Sequence, residues 1–254
     1  MLELKGGNSF TGVPYLTYDA LDEYAELVVT KAVPRNLSQP TPLDVDAFLE
    51  FYLNLPVVFQ RLSHGGRVLG LTAFDTGYIE VVDEENNQPK ALRVKAGTVL
   101  IDNSLLNDPK SETRLRFTLM HEAAHWLLHQ QAFSVESRSF HGATYLAAKE
   151  GKADYSPSKR EKSDAERMER QADFLAAALL MPRPALRTAC KAYWSYYKQP
   201  PMRIERGRDA WHNSHAVQFT KYIADQFHVS RAAAKIRLEK LGAIVGKETA
   251  RSRA

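Results

Sequence analysis

The chain has little that could brace it from outside its own core. One cysteine, Cys190, stands in 254 residues, so no internal disulfide forms and a reducing compartment is the better match. Its expected state is a buried, inert thiol. No apolar run approaches the roughly 20 residues that span a bilayer. The longest clean run, Phe174–Met181, is far too short. The opening residues Met-Leu-Glu-Leu-Lys-Gly-Gly lack the basic-then-apolar layout of a secretory signal. Together these absences give the expectation of a cytoplasmic protein with no membrane partner. There is also no internal repeat and no extended low-complexity tract.

An excess of one charge is likewise small, at +4 net. The positive charge is unevenly placed, gathering at Arg231, Lys235, Arg237, Lys240, Lys247, Arg251 and Arg253. Such a cluster suits DNA or an acidic partner, and it equally suits a solvated helix face. With 44% apolar and 25% charged residues the composition is that of an ordinary globular protein. This length can bury one sizeable core and carry a small appended module.

Helical spacing at Leu21, Ala25, Leu27 and Val28 predicts a helix over residues 19–32, stopped by Val33-Pro34. Asp44 caps a second helix that ends at Pro56. Val57–Leu62, Leu69–Phe74, Gly77–Val82, Ala91–Val94 and Thr98–Ile101 read as short strands. Residues 114–129 return to helical spacing, with Leu115, Leu119, Ala123, Trp126 and Leu127 as an apolar stripe. From Gln130 to Asp164 the chain turns polar apart from Ala143–Ala148, and so long an irregular stretch reads as a flap or insertion. Helices follow over Glu166–Leu180 and from Pro184 through Tyr193–Tyr197. A linker spans Lys198–Asp209. A helix over about Ala216–Gln226 and another capped by Ser230 and stopped by Gly242 close the chain.

The chemistry sits in His121-Glu122-Ala123-Ala124-His125. An α-helix turns about 100° per residue, so two histidines four apart share a face one turn apart. Two neutral imidazoles so placed can hold one Zn²⁺, while Glu122 is rotated away and reaches a water instead. Zinc acidifies that water and polarises a carbonyl, and a carboxylate beside it carries the proton to a departing amine. Chance alone would produce the pentapeptide in roughly two chains per hundred of this composition, so context must decide. The bland alternative is a surface helix with two solvated histidines. His129 does not extend the ligand set, because each four-residue step drifts about 40° around the helix. It reads as a packing residue or as support for a ligand.

A peptidase zinc needs a third protein ligand and an open position. Glu166, Glu169 and Asp173 share one face of the next helix and are the natural sources.

The segments Arg116-Phe-Thr-Leu-Met-His-Glu-Ala-Ala-His-Trp-Leu-Leu-His129 and Glu169-Arg-Gln-Ala-Asp-Phe-Leu-Ala-Ala-Ala-Leu-Leu-Met-Pro182 resemble the two signatures of the ImmA/IrrE metallopeptidases. Gly97-Thr-Val-Leu-Ile-Asp102 is similar to the strand before their zinc helix, and the tail from Phe227 to Gly242 is similar to their C-terminal segment. The resemblance implies zinc on His121, His125 and Glu169, Glu122 as catalytic base, and Asp173 supporting a ligating histidine. It implies cytoplasmic proteolysis of helix-turn-helix repressors, inducing stress-response or mobile-element genes.

The interval from His125 to Glu169 is 44 positions (169 − 125), long for the family. It leaves Glu150, Glu161 and Glu166 as rival third ligands, with Glu166 the chief of them. His141, Tyr145 and Tyr155 in the same interval are candidate oxyanion stabilisers.

The expected fold is α+β: a zincin-like core over residues 1–197 with an insertion at 130–165, a linker at 198–209, and a helical helix-turn-helix-like module at 210–254. In it, Thr98–Ile101 is expected to offer an exposed strand edge that aligns an extended peptide. Arg231, Lys235 and Arg237 are expected near the exposed side of the last helix, open to DNA or a repressor substrate. The competing function is a DNA- or partner-binding regulator whose metal site is structural or idle.

Overall fold

The segment Val68–Ala73, Val-Leu-Gly-Leu-Thr-Ala, is apolar at nearly every position, which is the pattern of a strand covered on both faces. In the computed structural model this segment is β2, inside a four-stranded sheet. The structure describes residues 7–9, 11–106, 111–133 and 163–246, and the backbone of 145–149. Two compact units divide the chain: Met1–Tyr24 with Asp44–Ala176, and Ala25–Leu43 with Ala177–Ala254. Two of the three boundaries fall within α1 (Tyr18–Ala32) and α5 (Asp164–Leu180), and the third lies between Leu43 and Asp44.

In the first unit, Asp44 caps α3 (Val45–Ala47) by accepting from the Ala47 amide, and the turns tighten into a π-helical stretch over Phe48–Leu53. Then come β1 (Val57–Gln60), β2 (Val68–Ala73), β3 (Gly77–Val82), β4 (Pro89–Val94) and β5 (Val99–Asp102). After α4 (Glu112–His129), β6 (Tyr145–Lys149) completes the sheet in the order β1-β5-β2-β6. β1 runs parallel to β5 from Val57↔Val99, whereas β2 is antiparallel to both β5 and β6. Successive strand residues face opposite sides. Leu71 and Ala73 of β2 therefore pack with Leu62, Leu100 and the β3–β4 hairpin residues Ile79, Val81 and Val94. Gly70 and Thr72 turn to the other face, where α4 lies across β2, β5 and β6.

Two expectations change here. The strand near Thr98–Ile101 is interior, with all four residues of β5 buried between β1 and β2, so it has no free edge for a peptide. Its apolar sequence reflects burial on both sides. The edge beside α4 belongs instead to β6, which lies inside the stretch expected to be irregular. Its short apolar patch is the only hint of a strand amid polar sequence.

In the second unit, α2 (Pro34–Ser38) packs on α6 (Arg183–Tyr196), and Glu26 pairs with Arg183 at 2.5 Å. Next come β7 (Ile204–Glu205), α7 (Ala210–Phe227), α8 (Arg231–Lys240) and β8 (Ile244–Val245), with β7 and β8 parallel. α7 starts six residues earlier than expected because Asp209 accepts from the His212 amide at 2.8 Å. Ser230 caps α8 by accepting from the Ala233 amide at 3.1 Å. Burial pushes the Cys190 thiol up to about 12, so it stays protonated at neutral pH.

Arg237 corrects a third expectation. Only 1% exposed, it turns inward, and its Nε and Nη2 donate to the Met181 carbonyl at 3.2 Å each. This satisfies a carbonyl just beyond the end of α5 and removes the charge from the outer face of α8. A buried hydrogen bond from a charged donor contributes about 1.5–3 kcal/mol. Arg237→Met should therefore lower unfolding free energy by about 2 kcal/mol in a denaturant titration. A loss within about 0.5 kcal/mol, the range of ordinary surface changes, would show the contact to be incidental.

Candidate metal centre

Every residue of α4 from Thr118 to His125 is buried. The histidine pair therefore lies where the helix meets protein all round, which removes the solvated-surface alternative. The rings of His121 and His125 meet edge-to-face, with centroids 4.6 Å apart and Nε2 atoms 2.9 Å apart. From α5, Glu169 sets Oε2 at 3.4 Å from His121 Nε2 and Oε1 at 3.5 Å from His125 Nε2. The three side chains each offer a ligand atom within 4.8 Å of the others.

Ligands about 2.0–2.1 Å from a tetrahedral zinc are about 3.3–3.4 Å apart. The imidazole Nε2 atoms are 2.9 Å apart and each lies 3.4–3.5 Å from a different Glu169 oxygen, so a small shift of the carboxylate and of the His–His edge would bring three ligand atoms to that spacing. The histidine side chains are 7% and 0% exposed but that of Glu169 is 42% exposed, so the triangle opens to solvent on its carboxylate side. The donor set and its spacing fit a zinc with one open position.

The outer nitrogens of the two rings are also held. Asp173 Oδ1 stands 2.9 Å from His121 Nδ1. A carboxylate can only accept, so Nδ1 carries the proton and Nε2 faces the centre. His125 Nδ1 meets His129 Nδ1 at 3.0 Å. Burial pushes His121 down, but hydrogen bonds to Asp173 and Glu169 outweigh it and hold this group well above 6.5. Burial, then the charges of His121 and His129, push His125 well below 6.5. Burial likewise brings His129 down to about 4, against the raising effect of its Gln171 hydrogen bond. Without metal, the additional proton that would charge one of the two rings is favoured on His121 over His125.

Glu122 is fully buried, and its carboxylate is turned toward β2. Thr72 Oγ1 lies 2.6 Å from Glu122 Oε2 and 3.1 Å from its carbonyl oxygen. Two residues away, Gly70 leaves the space the carboxylate occupies. A Cβ there would fall 2.6 Å from Glu122 Oε1 and 2.8 Å from Thr118 Cγ2. Neither Thr72 nor Gly70 was singled out by the motif, although a glycine inside an apolar strand signals close approach of another group.

The other sequence candidates are placed as follows. Glu166 is exposed in the first turn of α5 and lies outside the cluster formed by His121, His125 and Glu169. His129 is buried beside His125 and Gln171. His141, Tyr155, Glu150 and Glu161 lie outside the described residues, and of Tyr145 only the backbone is described, at the start of β6.

A buried His-Glu-x-x-His helix completed by a carboxylate from a second helix defines the class of metal-dependent peptidases. Residues 105–239 match the IrrE N-terminal-like domain, a peptidase family, and the chain belongs to that family. No curated protein matches the chain. No helix among the described residues is long and apolar enough to cross a membrane.

Two outcomes follow from this geometry. Gly70→Ala forces Glu122 or β2 to shift, and overpacking of this kind costs about 1–3 kcal/mol. Thermal unfolding should register that loss together with a fall in any peptidase turnover, whereas an unchanged midpoint would mean the gap closes freely. Because His121 holds its proton above 6.5, metal must displace that proton, so apparent zinc affinity should rise with pH. Chelator competition between about pH 6 and pH 8 measures this; flat affinity across that window would contradict it.

Proposed function

We propose that the chain is a zinc endopeptidase with a zincin-like core. Its substrate is a protein, a helix-turn-helix transcriptional repressor whose removal induces stress-response or mobile-element genes. The observation that carries the reading is the His121–His125–Glu169 triangle, with Glu122 adjacent to His121 on the same buried helix. Support for the repressor comes from the resemblance of the two signatures and the tail to ImmA/IrrE proteins. Two imidazoles and one carboxylate gathered at one point suit zinc among the common divalent ions.

In this reading His121, His125 and Glu169 hold the ion, and Asp173 orients His121 through its Nδ1–H. Bound zinc supplies an acidified water and a polarised scissile carbonyl at the open position. Thr72 donates to the Glu122 carboxylate and holds it in place. Glu122 takes the proton from the attacking water and delivers it to the departing amine. β6 is the outer strand beside α4, and an extended peptide can add to its free edge among the described residues. Direct DNA contact draws less support, since Arg237 is buried and Lys235 lies 3.8 Å from Glu239.

The test uses the purified chain and small helix-turn-helix repressors encoded beside its gene. The chain should carry about one equivalent of zinc and make a defined cut, mapped by mass spectrometry. Glu122→Gln should keep the zinc and lose cleavage by about 10²–10⁴-fold. Glu169→Ala should lower zinc content and Glu166→Ala should not. Less than about a tenth of an equivalent in the wild type would sink the zinc site. A Glu122→Gln chain that retains full cellular function would leave the binding-regulator alternative standing.

A further inference from the structure

Behind His125 lies a hydrogen-bonded chain that ends on backbone. His125 Nδ1 is 3.0 Å from His129 Nδ1, His129 Nε2 is 3.0 Å from Gln171 Oε1, and Gln171 Nε2 donates to the Pro14 carbonyl at 2.6 Å. His125, His129 and Gln171 are each fully buried. Water is therefore kept from supplying or taking a proton along the chain.

The direction of every bond follows from its far end. A carbonyl oxygen can only accept, so the Gln171 amide must turn its NH₂ to Pro14 and its oxygen to His129. That oxygen can only accept, so His129 donates from Nε2. A neutral imidazole with its proton on Nε2 has a lone pair on Nδ1. His129 Nδ1 thus accepts from His125 Nδ1–H, and the remaining lone pair of His125 sits on Nε2, facing His121 and Glu169.

We propose that His129 and Gln171 are positioning residues that, anchored on the Pro14 carbonyl, fix His125 in the tautomer that presents Nε2 to a metal ion. The inference rests on the zinc reading above. It gives the two ligating histidines different supports: a carboxylate for His121 and a neutral relay for His125. The neutral relay adds no negative charge beside the ion on that side. Reversing the amide would set NH₂ against His129 and force the opposite tautomer along the whole chain.

The experiment pairs ring-nitrogen NMR with zinc affinity measured by chelator competition. In the wild-type chain the ¹⁵N shifts should report His125 with its proton on Nδ1 and His129 with its proton on Nε2. Gln171→Leu and His129→Phe should each weaken zinc binding by about 10–100-fold. Gln171→Glu, which in its protonated form keeps an acceptor toward His129 and a donor toward the Pro14 carbonyl, should bind zinc more tightly than Gln171→Leu. A His129 proton on Nδ1 overturns the proposal even if the variants fail to fold. Wild-type zinc affinity in folded Gln171→Leu and His129→Phe chains overturns it too, while leaving the zinc reading intact. A wild-type chain that takes up no zinc overturns both.

Discussion

The Nε2 atoms of His121 and His125 face each other at 2.9 Å in a place closed to water on the helix side. Each ring has its other nitrogen committed elsewhere, to Asp173 and to His129. With both outer nitrogens protonated, as proposed above, two Nε2 lone pairs face each other, and a proton or a metal ion between them relieves their repulsion. The surrounding chain suits that need. α4 must be buried to keep the rings fixed, and α5 must lie alongside it to bring Glu169 and Asp173 to opposite nitrogens. The N-terminal segment contributes as well, through the Pro14 carbonyl.

β2 is the second fixed element. Its outer-face residues join the hairpin core, and this leaves its inner face to two small positions, Gly70 and Thr72. A larger residue at either would compete with Glu122 for the same space. The carboxylate of Glu122, next to His121, is thus placed by a strand distant in sequence as much as by its own helix. Backbone pairing with β5 on one side and β6 on the other keeps that strand in register.

Much of this was legible in the sequence because it is periodic or local. The helix spacing of residues 114–129, the i,i+4 histidines, the Asp44 and Ser230 caps and the Gly77–Val82 strand all depend on near neighbours. The wider resemblance supplied Glu169, and geometry places it in the cluster while Glu166 stays outside. What escaped was set by tertiary partners. The interior position of β5, the strand at Tyr145–Lys149, the inward turn of Arg237 and the early start of α7 depend on pairing, burial or a single cap. The His129–Gln171 contact joins residues 42 positions apart. Neither residue alone carries a pattern that marks it.

The interval between His125 and Glu169 has one more consequence. A metal ion shared by those side chains would tie the chain into a closed loop of 44 positions. In the chain-entropy view, a crosslink of that span removes about 4 kcal/mol of freedom from the unfolded ensemble. With Cys190 alone and no disulfide available, the ion would then be the chain's staple as well as its reagent. Stripping it would restore that freedom to the unfolded chain and so lower stability.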